Sequence, residues 1–195
     1  MATSEVQICN EALALLGASS IISLTEATEN ARRCNMHYGS TRDALIRKHR
    51  WRFAVNRATL AALAAGPAYQ YDYAYQLPTD PYCLRVLEFY EEREDGSDWQ
   101  VEGRTLVTDS ETARIKYLGR VTDPNTFDAS FHDALVYELA AKLAIPITNS
   151  RSLSTDMREQ AEYKIAEAEI NNAIESYAEG DDTPIAEEGD WVSER

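Results

Sequence analysis

Apolar residues recur every three to four positions at the two ends of this chain and every second position in its middle, and that change of period is what most limits its fold. A short apolar helix and a long basic one come first, a β-rich stretch follows, and two later helices must cover what the first pair leaves exposed. The expected class is therefore α+β, mainly α: a bundle of about four helices with an inserted small antiparallel β-sheet. The expected division is N-terminal helices over 1–65, a β-rich insertion over 66–122, C-terminal helices over 123–180 and an acidic tail over 181–195.

Ser4 followed by Gln7 has the pattern of a capping box, and Val6, Cys9, Leu13 and Leu16, with Ala12 beside them, form one apolar stripe. Gly17 should end this first helix, because glycine adopts a left-handed cap without a Cβ penalty. Ser23 with Glu26 offers a second capping box. The helix beyond it places Ala27, Ala31, Cys34, Tyr38, Thr41 and Leu45 on one face. Its other face carries Arg32, Arg33, Arg42, Arg47, Lys48, Arg50, Arg52 and Arg57 against Glu29 and Asp43. That basic strip is either a solvated face balanced within the chain or a contact surface for acidic groups on a neighbour.

Residues 51–65 admit two readings. Trp51, Phe53 and Val55 alternate like a strand, whereas RATLAALAA has the propensity of a helix. Tyr69, Tyr71, Tyr73, Tyr75 and Leu77 alternate with Gln70, Asp72, Ala74 and Gln76, which predicts a strand with four phenol rings on one face, half-buried against the helices. Leu84 to Tyr90, Trp99 to Val101, Thr105 to Val107 and Ala113 to Leu118 supply further strands, with a tight turn at Glu102-Gly103. Ser130 with Asp133 should cap a helix bearing Phe131, Leu135, Leu139 and Leu143, which Pro146 should end. The last helix aligns Leu153, Met157, Ala161, Ile165, Ala168 and Asn172. A second stripe of Ile170, Ile174 and Tyr177 faces a neighbouring subunit or widens a single core contact.

Landmarks in this order carry a family resemblance. The run NEAL..LG, then A..C...Y...RD.LI, then W.FA..RATLA, then YAYQLP.D...LRVL, then TDP..F...F.DALVYELA..LA.PIT.S resembles tail tubular protein A, the head-to-tail adaptor of short-tailed bacteriophages. The similarity covers nearly the whole chain up to about its last twenty residues; one departure is Arg50, where the pattern often has proline before the tryptophan. The resemblance implies a ring, twelvefold to match a portal, that joins the portal protein to the tail nozzle protein. DNA would pass through the channel without specific binding. It implies a place in the virion at the head-tail interface, after assembly in the host cytoplasm.

The charge agrees with passage rather than grip. A formal net charge of −14 opposes free binding to DNA, whose affinity comes largely from Lys and Arg at phosphates. The start MATSEVQ lacks a basic region and an apolar core, and no run approaches the length of a membrane span, so no leader or membrane partner is expected. Cys9, Cys34 and Cys83 cannot all pair within one chain and are expected as reduced, buried thiols.

No catalytic, cofactor or metal site is expected. Cys34 and His37 have metal-ligand spacing, but zinc needs two more ligands. Ser130, His132 and Asp133 are adjacent on one helix start without a G-x-S-x-G elbow, and the acidic run Glu91, Glu92, Glu94, Asp95 lacks the contrast of a buried acid beside an ionised base. A peptidoglycan-degrading tail enzyme, proposed for members of the family, is one alternative. A small helical-bundle scaffold or regulatory protein is another. The candidate interface residues, toward portal or neighbouring subunit, are Arg42, Arg47, Lys48, Arg50, Arg52 and Trp191 of the acidic tail, which either docks into a partner groove or is solvated.

Overall fold

Ser4 opens the first helix, α1 (Glu5–Leu15), by accepting the Gln7 N–H at 3.1 Å. Only half of the capping box forms, because the Gln7 side chain turns forward to Glu11 at 2.9 Å. Gly17 stands at φ +65, and the N–H groups of Gly17 and Ala18 return to the carbonyls of Ala14 and Leu13 at 3.0 and 2.9 Å, closing the helix end. Asn10 then acts as a surrogate for backbone: its amide donates to the Ile21 carbonyl at 2.9 Å and accepts the Ile21 N–H at 2.7 Å, which ties the following loop to α1.

The computed structural model describes residues 3–90 and 98–177. Its second helix, α2 (Glu29–Lys48), starts later than the Ser23 and Glu26 pattern suggests, since Thr28 is the cap and accepts the Ala31 N–H. Glu26 instead holds the loop, accepting the N–H groups of Ile22 and Ser23 at 2.8 and 3.3 Å, and Ala27 lies ahead of the helix. The expected inner face is otherwise present, with Ala31, Cys34, Tyr38, Thr41 and Leu45 buried.

A 3-10 turn, Arg52–Ala54, leads into β1 (Val55–Thr59), so residues 51–65 are strand only at Val55–Thr59: Trp51 and Phe53 precede it, and 60–65 are neither helix nor strand. Pairing overrides the helical propensity of RATLAALAA: the Leu60 N–H meets the Ala113 carbonyl at 2.8 Å and the Leu63 N–H meets that of Ala74 at 2.7 Å. The further strands are β2 (Tyr73–Gln76), β3 (Cys83–Tyr90), β4 (Trp99–Glu102), β5 (Thr105–Thr108) and β6 (Arg114–Gly119). They form two three-stranded antiparallel sheets, ordered β1-β6-β3 and β2-β5-β4, where the sequence suggested one. The first sheet takes its opening strand from within residues 1–65.

Two details of the β region differ from expectation. The four-ring tyrosine face does not form, because Gln70 sits at φ +75 and breaks the alternation; Tyr69 is exposed, and β2 begins only at Tyr73. The tight hairpin has Gly103 and Arg104 as its two loop residues, one position later than read, with Gly103 at φ +61.

The sheet β1-β6-β3 is the middle of three layers. Leu118 is buried among the helices, joined by Val55, Leu84 and Leu87, while Ile115, Tyr117, Val86 and Phe89 pack toward Tyr75 and Leu106 of the other sheet. Helix α3 (Ala129–Thr148) is capped by Asp128, which accepts the Ser130 N–H at 2.8 Å, in place of the Ser130 and Asp133 pair. Pro146 does not end it. The helix runs on to Thr148 and stops at Asn149, left-handed at φ +55; so near the end, a proline removes a single intrahelical hydrogen bond. Helix α4 (Arg151–Tyr177) packs on α3 through Ala161, Ile165 and Ala168, and Ser154 donates to the Ala141 carbonyl at 2.7 Å. Ile170 of the expected second stripe is exposed; Asn172, Ile174 and Tyr177 fall where side chains are outside the described set.

Where helix gives way to strand, Trp51 is 2% exposed and its indole N–H donates to the Leu45 carbonyl at 3.0 Å. Its ring meets Phe131 edge-on at 5.0 Å between centroids, and Phe53 and Phe127 close on Phe131 at 4.9 and 4.8 Å. Trp51→Ala should therefore cost about 3–5 kcal/mol of unfolding free energy in urea titrations, through cavity and lost hydrogen bond together. Gly17→Ala, which only strains a left-handed cap, should cost about 1 kcal/mol by the same measurement.

Candidate functional site

The basic strip of α2 divides once the chain is folded. Arg42 is 7% exposed: its guanidinium donates twice to Asp43 Oδ1, at 2.9 and 2.8 Å, and lies 3.9 Å from Glu5. A cation so enclosed is occupied within the chain, so Arg42 belongs to the fold rather than to an exposed contact surface. The second Asp43 oxygen accepts from Arg120 Nε at 2.7 Å, which joins α2 to the end of β6. Arg50 pairs with Glu88 of β3 at 2.7 Å across a half-open surface. Lys116 approaches the same carboxylate at 3.4 Å, and the Tyr90 hydroxyl donates to it. That donation above all, helped by Lys116 and Arg50, holds Glu88 below the usual carboxylate value.

Arg47 and Lys48, in the last turn of α2, remain exposed, as does Arg52 in the turn that follows. The Arg47 guanidinium donates to the Leu84 carbonyl and the Arg85 guanidinium returns to the Arg47 carbonyl at 3.3 Å, so the end of α2 and β3 are laced by two arginines. Cations at a helix C-terminus are also favoured by the carbonyl dipoles gathered there. Trp191 lies outside the described residues, as does the acidic run at Glu91, Glu92, Glu94 and Asp95.

Arg47 and Arg85 open onto a groove of about 630 Å³ that the strip alone did not announce. It lies between β3 and β4, the outer strands of the two sheets. Arg47, Arg85, Arg104 and Arg120 line it, with Asp43 the carboxylate among its lining residues, and Trp99, Val101 and Val86 give it apolar wall. Tyr82 organises one end, with the guanidinium carbons of Arg104 and Arg120 3.9 and 4.5 Å from its ring centroid. Arg104 also donates to the carbonyls of Cys83 and Pro78, both at 2.6 Å. Reading along one helix face missed Arg85, Arg104 and Arg120 because they come from three separate β elements. The local hint was an arginine directly after the hairpin glycine.

The groups weighed for chemistry are dispersed or enclosed. Cys34 is fully buried beside Cys9, whose thiol is pushed up by its hydrogen bond to Cys34 and by burial, and the His37 carbonyl accepts from Thr41 at 2.7 Å. All three cysteines are free and buried. His132 sits between Glu11 at 3.2 Å and Asp133 at 3.6 Å and joins α3 to α1. Among the described residues no three His, Cys, Asp or Glu side chains gather as a metal ion would need, and no helix is long and apolar enough to cross a membrane. No protein-family model matches the sequence, and no curated protein matches it.

Two outcomes follow from the charges. Asp43→Ala leaves the enclosed Arg42 without its principal partner and should lower stability by about 3 kcal/mol, well beyond the loss from Arg120→Ala, whose guanidinium is 38% exposed. Glu88 has its folded pKa lowered, so its contribution is complete above the ordinary value of 4.5 and is lost as pH falls through the lower folded value. In urea midpoints the stability gap between wild type and Glu88→Gln should accordingly be constant near neutrality and close progressively below pH 4.5.

Proposed function

We propose that the protein is a structural head-to-tail adaptor of a short-tailed phage, a ring that joins portal to tail nozzle and surrounds the path of the DNA. What supports the reading is where the family-like landmarks fall. W.F and F...F, separated by about seventy residues of sequence, meet in one aromatic cluster through Trp51, Phe53, Phe127 and Phe131. The Asn10 of NEAL clasps the loop after α1, and the Tyr75 and Leu77 of YAYQLP are buried in the second core. The landmarks are thus the residues that hold the shape, which suits a protein whose task is to present surfaces.

Of the expected contact residues, Arg47 and Lys48 keep exposed positions at the end of α2, and these are the pair the reading assigns to the portal or to an adjacent subunit. Arg52 flanks them; Arg50 is tied to Glu88, and Arg42 is enclosed. With a net charge of −14 on each chain, the reading expects an acidic channel wall along which DNA is repelled rather than held, and a basic wall in the assembled ring would contradict it.

Electron microscopy of the full chain mixed with portal protein tests this directly, and closed rings of the chain seated on the portal are expected. The double reversal Arg47→Glu and Lys48→Glu should weaken that association at least about tenfold at physiological salt, and Lys48→Glu alone, which leaves the bond from Arg47 to the Leu84 carbonyl in place, should weaken it in the same direction with a urea midpoint close to wild type. Unchanged ring and portal binding in the double variant, or a chain that stays monomeric beside portal while hydrolysing cell wall, would overturn the proposal.

A further inference from the structure

The groove between β3 and β4 is electrically unusual for so acidic a chain. Arg47, Arg85 and Arg104 direct their hydrogen bonds at the backbone carbonyls of Leu84, Arg47, Cys83 and Pro78, and no described carboxylate pairs with them. A carbonyl orients a guanidinium without cancelling its charge, and the nearby Asp43 is already engaged by Arg42 and Arg120. Among the described residues, positive charge therefore remains in the groove. Beside it Trp99 and Val101 stand 36% and 40% exposed on β4, so apolar surface and positive charge share one wall.

Both walls are outer strands, each with one side unpaired in its sheet, and although the Cys83 and Leu84 carbonyls of β3 are taken by arginines, such a cleft suits an extended chain. A fitting occupant must be extended, acidic and equipped with an apolar side chain for Trp99. Residues 181–195, outside the described part, read DDTPIAEEGDWVSER: six carboxylates to one arginine, with Ile185, Trp191 and Val192 among them. Pro184 and Gly189 disfavour a helix there.

We infer that the acidic segment 181–195 of this chain is the groove's ligand, lying along it with its carboxylates toward Arg47, Arg85 and Arg104 and Trp191 against Trp99 and Val101. The inference stands on the groove and on charge complementarity; it shares Arg47 with the adaptor reading but not Lys48, and its readout at Arg85 and Trp99 lies outside the pair assigned to the portal or an adjacent subunit.

Photo-crosslinking of the full-length chain with benzoylphenylalanine in place of Trp191 tests it. Cross-linked peptides containing Arg85 or the 99–101 stretch are expected, at monomer mass if a chain fills its own groove and at dimer mass if it fills a neighbour's; either product supports the inference. The yield should fall at least about threefold in Arg85→Glu and likewise in 1 M salt, where charges more than about 3 Å apart are screened. Neutralising Asp181, Asp182, Glu187 and Glu188 to Asn and Gln should lower it equally, and that variant alters none of the described residues. Cross-links that map elsewhere, no cross-link at all, or a yield indifferent to both charge changes would overturn it. Suppression of the cross-link by short single-stranded DNA but not by excess peptide 181–195 would also overturn it, since the groove would then be a nucleic-acid site.

Discussion

The contact on which the rest of this fold depends is the meeting of Trp51 with Phe131. Trp51 stands at the point where α2 ends and the first strand begins, and its indole N–H is anchored to Leu45, one turn back in the helix it has just left. Phe131 belongs to the first turns of α3, at the other end of the β region. Edge-to-face contact between them, reinforced by Phe53 and Phe127, fixes both junctions between helical and β parts at one place. The β strands can then be long in sequence yet enter and leave the helical layer side by side.

That closure explains the layering. Because β1 starts at the aromatic cluster and pairs with β6, which ends close to it, the sheet β1-β6-β3 must lie flat on the helices, with Leu118 and Val55 inward. Its opposite face is then left apolar through Ile115, Tyr117, Val86 and Phe89, and a second sheet is needed to cover it. The crossing is made by residues 60–63, which pair first with Ala113 and then with Ala74. Two small sheets in place of one are thus a consequence of burial on both sides of the middle layer, and their outer strands β3 and β4 leave a groove where they part.

Much of the helical framework was legible because its signals are local. Ser4 and Gly17 act within a few residues of themselves, and the inner stripe from Ala31 to Leu45 is a matter of period. Reading failed where a distant partner outvoted a local preference. RATLAALAA is not helical because only its first three residues extend β1 and the rest is drawn out by hydrogen bonds to Ala113 and Ala74, and Tyr69 leaves the tyrosine alternation because the chain turns at Gln70. Thr28 beats Ser23 as a cap because Glu26 is occupied by the loop itself. The arginine groove was the least legible part. A strip along one helix is visible as spacing, but Arg47, Arg85, Arg104 and Arg120 come together only through α2, two strands and a hairpin.

The division of arginines on this acidic protein follows from what each is bonded to. Arg42 faces Asp43 and is enclosed, so its charge is matched where solvent is scarce and its removal would leave Asp43 with Arg120 alone. Arg47, Arg85 and Arg104 face carbonyl oxygens instead, which carry only partial charge. Such bonds determine where a guanidinium points while leaving most of its field directed outward. The first arrangement serves cohesion and the second serves attraction, and the described part of the chain maintains both, since no described carboxylate pairs with the second set. A groove whose guanidinium groups are held by carbonyls is set to attract an anionic segment, whereas a guanidinium matched by a carboxylate, as at Arg42, is not, and this difference of bonding partner is what sets the groove apart from the helix face read from spacing.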